Sequence, residues 1–177
     1  MKLQDLKENV QRTLILEKLP YSRDALQPVL SKDIIDFHYG KLARGYVDRF
    51  NNHEGDAEFN KAGAYLHNMF FSQFQPITNA NAPIGKVGKI LIDKFDDFKR
   101  FTTEFKEAAI ALQGSGWVYL SQSGDIKIIK NHKIVNDILF ILDLWEHAFQ
   151  IDYRADKAKY VDSIWRVVNW NVINDRL

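Results

Sequence analysis

The chain has 177 residues, 46% of them hydrophobic, enough for one ordinary domain or two small layers sharing a core without covalent staples. It contains no cysteine, which excludes disulfides, thiolate metal ligands, iron–sulfur clusters and cysteine nucleophiles, so any metal here is held by nitrogen and oxygen. With 24 Lys and Arg against 23 Asp and Glu the formal net charge is +1, no footprint for nucleic acid, and no apolar stretch approaches the roughly 20 residues needed to span a bilayer; neither a nucleic acid nor a membrane is expected as a partner.

Residues 1–18 carry charges throughout (Lys2, Asp5, Lys7, Glu8, Arg12, Glu17, Lys18) with no uninterrupted apolar core and no small-residue cleavage pattern. They read as a solvated leader and not as a secretory signal, so the expected location is cytoplasmic. Leu19-Pro20-Tyr21 opens an extended segment. Ser31 and Asp33 then supply a helix start before Ile34, Ile35, His38, Leu42 and Tyr46 recur at helical spacing, to about Phe50. A short polar connection, Asn51-Asn52-His53-Glu54-Gly55-Asp56, leads into a second pattern with Gly63, His67, Phe70, Phe71 and Phe74 on one face, the sign of an antiparallel helical hairpin.

Residues 76–83 break the periodicity and divide the chain into an N-terminal hairpin domain, 1–82, and a C-terminal domain, 83–177. In the second part a short helix over about 86–94 precedes a longer one that Asp96 caps, with Phe98, Phe101, Phe105, Ala109 and Leu112 as its apolar stripe and Gly114 as its end. From Gly116 the period changes. Trp117-Val118-Tyr119-Leu120, a Ser123-Gly124 turn and Ile126-Lys127-Ile128-Ile129 read as a β-hairpin, residues 138–142 as a third strand, and Tyr160, Ile164, Trp165 and Val168 as a final helical stretch. The predicted class is α+β: a helical hairpin followed by helices around a three-stranded antiparallel sheet.

Chemistry concentrates in Asp143-Leu144-Trp145-Glu146-His147, where a carboxylate and an imidazole stand four residues apart at the end of an apolar run. That combination suits a first-row transition metal kept from bulk water, although the pair alone also fits a helix cap and a core histidine. His53 lies in a polar connection and reads as a surface residue. His38 and His67 each lie on the apolar face of one hairpin helix, where a lone histidine is usually a core residue with one hydrogen bond. Two on facing helices need a shared partner, and a metal ion supplies one. His38, His67, Asp143 and His147 give three imidazoles and one carboxylate, a set for iron, manganese or zinc that leaves a position open for water or substrate.

These segments, with Leu19-Pro20-Tyr21, Phe37-His38-Tyr39-Gly40-Lys41, Tyr46-Val47-Asp48, His67-Asn68-Met69-Phe70-Phe71, Gly114-Ser115-Gly116-Trp117, Asp143-Leu144-Trp145-Glu146-His147-Ala148 and Val167-Val168-Asn169-Trp170, resemble the iron/manganese superoxide dismutase family over residues 19–177. The resemblance assigns the same four residues as ligands of one iron or manganese ion per subunit. It implies superoxide as substrate, converted to dioxygen and hydrogen peroxide as the metal alternates between trivalent and divalent states. It makes Tyr46 the gateway tyrosine, orienting solvent and protons. Trp117, Trp145 and Phe71 would form an apolar wall, Phe71 standing where the family usually has tryptophan.

With Gly63 on the helix, the outer-sphere donor that sets the redox potential falls by resemblance to His132; the competing reading of His132 is a hairpin-loop residue in solvent. Lys157 stands where the family usually has arginine, and with Lys41 and Arg44 is expected to draw in the superoxide anion. By resemblance Glu146 reaches across a twofold interface to the partner's His147, implying a homodimer. Leu42, Ala43 and Gln150 replace two histidines and a tyrosine of the family pattern. They keep open the alternative of a metal-binding dimer of the same fold with weak or no dismutase activity. A non-haem iron oxygenase is the other rival, disfavoured because the third imidazole leaves fewer open positions.

Overall fold

The structure, a computed structural model, describes residues 13–177. The reading of residues 1–12 as part of a solvated leader lies outside it. Residues 13–18 do not fit that reading: Leu16 is buried, and the segment is pinned to the hairpin by two asparagine side chains. The Leu14 N–H donates to Asn51 Oδ1 (2.9 Å) while Asn51 Nδ2 donates to the Leu14 carbonyl (3.0 Å), and Asn68 does the same for Glu17 and Ile15. Each amide uses one donor and its acceptor, matching the C=O and N–H that an extended backbone presents.

Helix α1 (Lys32–Phe37) starts where the sequence places it, with Ser31 Oγ accepting the Ile34 N–H at 3.1 Å. A π-helical turn (His38–Ala43) and helix α2 (Arg44–Asn51) continue it, so one helix with a wide turn in its middle replaces the uniform helix expected. The turn has a geometric consequence. Eight residues of plain α-helix would put Tyr46 about 80° round from His38. A π turn takes in one extra residue, subtracting about 100°, and brings both side chains to one side.

Helix α3 (Ala57–Ser72) is capped by Asp56, whose Oδ1 accepts the Phe59 N–H at 2.9 Å, and packs antiparallel on α2 to complete the hairpin. Helices α4 (Gly85–Phe95) and α5 (Phe98–Ala111) follow. The cap of α5 is Asp97, accepting the Arg100 N–H at 2.7 Å, and not Asp96. Asp96 sits at φ 67° and ends α4, a left-handed position that asparagine and aspartate tolerate better than most residues.

Strands β1 (Gly116–Ser121), β2 (Ile126–Lys130) and β3 (Ile138–Asp143) form an antiparallel sheet in the order β2-β1-β3. β1 and β3 are buried along their whole length, which explains their continuous apolar runs. The register pairs Trp117 with Asp143, putting the carboxylate at the end of the edge strand β3. A short 3-10 turn (Glu146–Ala148), α6 (Gln150–Tyr153), α7 (Lys157–Ile164), a second 3-10 turn (Trp165–Val167) and α8 (Trp170–Asn174) close the chain over the sheet. No described helix is long and apolar enough to cross a membrane.

The hairpin is locked to these last elements by backbone bonds, Gln75 N–H to the Val167 carbonyl and Asn169 N–H to the Gln73 carbonyl, both 2.8 Å. Gly116 shows how tightly the sheet is built, because a Cβ there would overlap the Ile129 carbonyl oxygen of the neighbouring strand. Backbone cannot retreat as a side-chain tip can. Gly116→Ala is therefore expected to lower stability by about 3 kcal/mol, measurable as a shifted midpoint in denaturant unfolding of the loaded protein.

Candidate metal centre

Four elements converge on one point. His38 opens the π turn, His67 lies on the inner face of α3, Asp143 ends β3, and His147 sits in the 3-10 turn beyond it. His38, His67 and Asp143 are almost fully buried, and the His147 side chain is 16% exposed. All three imidazoles aim Nε2 at a single carboxylate oxygen. Asp143 Oδ2 lies 3.1 Å from His38 Nε2, 3.6 Å from His67 Nε2 and 3.2 Å from His147 Nε2. The other oxygen, Oδ1, accepts the Trp145 N–H at 2.9 Å, which fixes the carboxylate plane.

The His67 tautomer follows from its surroundings. Its Nδ1 is 2.7 Å from the Gly63 carbonyl, which can only accept, so Nδ1 carries the proton and Nε2 presents a lone pair inward. That Nε2 is buried and has no hydrogen-bond partner, an omission that costs about 1–3 kcal/mol unless something else fills it. Burial pushes the His67 imidazole well below its ordinary pKa and lowers His38 too, the second against the opposing pull of Asp143. Both rings are thus neutral, as ligation requires. Burial works to raise the Asp143 carboxyl, but His147 and His38 outweigh it and hold it below the usual carboxylate range, ionised.

The four candidate ligand atoms lie within 4.8 Å of one another. Atoms bonded to one ion at about 2.1 Å are at most about 4.2 Å apart, so a small contraction turns this set into a coordination sphere. Three imidazole nitrogens and a carboxylate suit iron or manganese, and a cation at their centre would satisfy the orphaned His67 Nε2.

Around this set lies a second arrangement, centred on His132. Far from being in solvent, His132 is 9% exposed, with its ring stacked on Trp145 (4.7 Å, 16° between planes) and close to Phe59 (4.7 Å). Trp117 Nε1–H donates to His132 Nδ1 at 3.2 Å. An indole nitrogen only donates, and burial pushes His132 down to about 4, so the neutral ring carries its proton on Nε2 and donates it to the Tyr46 hydroxyl at 2.9 Å. Both nitrogens are then committed. His132 connects to the four-residue cluster through Tyr46 and retains no second N–H for it.

Tyr46 lies with its ring 5.2 Å from that of His67 and directly over Gly63, where a Cβ would come within 2.7 Å of Cδ1 and 2.8 Å of Cγ. This is the space that a glycine in mid-helix provides. Burial, with the Asp143 charge adding and Arg49 opposing, pushes the Tyr46 phenol up to about 12. The Arg49 guanidinium stands 4.9 Å from the Tyr46 ring centroid and donates to Asn60 Oδ1 at 3.1 Å. Sequence reading missed Arg49 and Phe59, although Arg49 stands three residues after Tyr46, one helical turn on.

Phe71 packs edge-on to His38 at 4.9 Å, and Trp117 to His67 at 5.1 Å, completing an apolar lining. Lys157 lies both beside the site and at a helix end. Its Nζ donates to the Leu112 carbonyl at 3.2 Å at the end of α5, so much of its charge serves that helix terminus, though it still lines the cavity beside Glu146 and His147. Lys41 and Arg44 are exposed.

Comparison with known proteins gives one consistent answer. Residues 13–61 match the family model for the alpha-hairpin domain of iron/manganese superoxide dismutases, and residues 83–176 match that for their C-terminal domain. The chain is 36% identical to the superoxide dismutase [Fe] of Bacteroides fragilis, over 93% of this chain and 100% of that protein. It is 35% identical to the superoxide dismutase [Mn/Fe] of Porphyromonas gingivalis (91% and 97%) and 32% identical to the superoxide dismutase [Fe] of Saccharolobus solfataricus (92% of both). The hairpin, the three-stranded sheet and the match along nearly the whole length agree: this chain belongs to the iron/manganese superoxide dismutase family.

Proposed function

We propose that this protein disproportionates superoxide, taking two superoxide anions and two protons to one dioxygen and one hydrogen peroxide, with one iron or manganese ion held by His38, His67, Asp143 and His147. The observation that carries the reading is the three-way sharing of Asp143 Oδ2 beside the unpartnered His67 Nε2. When bound, the ion supplies one-electron oxidation and reduction. The chain's own residues do the rest. Asp143 contributes the negative charge that offsets the cation, the Gly63 carbonyl and the Trp145 N–H fix ligand orientation, and Phe71, Trp117 and Trp145 exclude bulk water.

Proton supply falls to Tyr46. Because its oxygen accepts from His132, its own O–H is left to donate, and the raised pKa keeps that proton in place at neutral pH. His132 acts by holding Tyr46, and Trp117 by fixing the His132 tautomer. We place the junction between the hairpin and C-terminal parts at residues 82 and 83, a division supported by the start of α4 at Gly85.

The test is reconstitution of metal-free protein with iron and with manganese separately. Superoxide decay well above that of buffer is expected from at least one form, releasing peroxide without any organic substrate. Metal uptake with decay at the buffer rate would instead establish the binding-only alternative. Steering of the anion by Lys41, Arg44 and Lys157 should appear as a kcat/KM that falls several-fold between about 0.01 and 0.5 M salt; a rate insensitive to salt contradicts it.

The assembly we propose is a homodimer through Glu146 and His147. The Glu146 carboxylate is exposed with no hydrogen bond or ion pair among the described residues, and His147 uses only Nε2 among them, leaving Nδ1 for a partner's carboxylate. Glu146→Ala is expected to shift the metal-loaded protein from dimer to monomer in light scattering at micromolar concentration. A wild-type protein that scatters as a monomer would contradict the assembly.

A further inference from the structure

Two side chains from distant parts of the sequence close the outer edge of β3. The sheet order leaves β3 without a strand neighbour on that side. Gln73, the residue just after α3, is fully buried there and pairs with Ile141 as a strand would. The Ile141 N–H donates to Gln73 Oε1 at 3.2 Å, and Gln73 Nε2 donates to the Ile141 carbonyl at 2.5 Å.

Arg176, beyond α8, reaches the same seam. Its Nη1 donates to Gln73 Oε1 (3.1 Å) and to the Leu139 carbonyl (2.5 Å), and its Nη2 to the Met69 carbonyl (2.7 Å) and to Ser72 Oγ (3.2 Å). No carboxylate pairs with it among the described residues. Its charge meets instead the carbonyl end of α3, the negative pole of that helix. One planar fork thus joins the last turn of α3, which it reaches at Met69, two residues from His67, and at Ser72, to the strand that terminates in Asp143. A lysine ammonium, a point donor, cannot span both.

We propose that Arg176 is a positioning residue for the metal centre, holding α3 and β3 at the spacing that lets His67 and Asp143 share one ion. The inference rests on the reading of those two residues as ligands. No periodicity in the sequence marks it, because every guanidinium bond runs to a backbone carbonyl, an amide or a hydroxyl about 40 to 110 residues away.

The test compares iron-loaded wild type, Arg176→Met, Arg176→Lys and, as a control, Asn174→Ala. Asn174 anchors α8 through the Ile84 and Trp170 carbonyls and the Val87 N–H, with no side-chain hydrogen bond to α3 or β3 among the described residues. The readouts are iron release to a chelator below the unfolding temperature and the ferric electron paramagnetic resonance spectrum. Arg176→Met is expected to release iron about tenfold faster with an altered spectrum, and Arg176→Lys about threefold faster. Asn174→Ala should lose thermal stability yet keep wild-type release and spectrum.

Wild-type release and spectrum in Arg176→Met, or equally fast release from Asn174→Ala, would overturn the proposal. If Arg176→Met does not fold, Arg176→Lys decides, and its release at the wild-type rate overturns it as well. A wild-type protein that takes up neither iron nor manganese is a different result, defeating the ligand assignment and the clamp with it.

Discussion

Asp143→Ala is expected to purify with less than about a tenth of the wild-type metal content and to consume superoxide no faster than buffer. The size of the effect follows from how much converges on one oxygen. Asp143 Oδ2 is the common neighbour of three imidazole nitrogens, and the carboxylate is the one anion among the four candidate ligands. Removing it leaves neutral nitrogens around a multivalent cation in an apolar enclosure, with nothing to offset the charge. The metal-free protein suffers as well, since His38 loses its partner in a buried setting, at about 1–3 kcal/mol. Asp143→Asn separates charge from shape. It can still accept the Trp145 N–H, so it should fold better than the alanine variant while binding metal nearly as poorly. Elemental analysis and superoxide decay on the same preparations check both.

The second large effect is expected at a residue that is not itself a candidate ligand. Gly63→Ala places a methyl group within 2.8 Å of the Tyr46 ring at Cγ, the rigid base of the side chain and not its tip, so the ring must swing away. The hydroxyl then leaves His132 Nε2, while His67 and its bond to the residue 63 carbonyl stay in place. Metal content should be unchanged and kcat should fall about ten- to a hundredfold, the loss that follows when a proton donor is displaced by about an ångström. Helix propensity favours alanine by about 1 kcal/mol and offsets part of the cost of moving the ring, and wild-type metal content is what separates a displaced proton donor from a general loss of structure. Tyr46→Phe should show a similar fall, and the double variant Gly63→Ala with Tyr46→Phe should be no worse than either single one. Losses that multiply in the double variant would contradict action through Tyr46.

Residue types and spacing on their own brought together His38, His67, Asp143 and His147, because buried imidazoles on facing helices and an Asp-x-x-x-His at the end of an apolar strand each demand a partner. Ser31 as a cap and the apolar runs of β1 and β3 were legible for the same reason: each is a local pattern with a local cause. What was hidden depends on contacts without periodicity. Asn51 and Asn68 pin the backbone of residues 14–17 by side-chain amides and Leu16 is buried, so a stretch that reads as solvated is tied down although Glu17 and Lys18 stay exposed. The spacing of His38 and Tyr46 already suggests a shared face, but the π turn at His38, which inserts a residue and makes that face exact, leaves no mark on the apolar spacing. Asp96 and Asp97 are equally good caps on paper, and the backbone reversal at Asp96 decides for Asp97.

His132 illustrates the other limit. Its place after a β-hairpin allows solvent or site, and only the indole donor at Nδ1 and the phenol at Nε2 fix both its tautomer and its target. The residue expected as an outer-sphere donor is instead hydrogen-bonded to Tyr46, with no N–H left for the four-residue cluster.

On the proposed function, His38, His67, Asp143 and His147 hold one redox-active ion. Anomalous diffraction from crystals of the reconstituted protein, recorded on either side of the iron or manganese edge, tests it most directly. A single strong peak per chain among the Nε2 atoms of the three histidines and Oδ2 of Asp143 is the predicted result; a peak elsewhere, or none in protein that consumes superoxide, would contradict it.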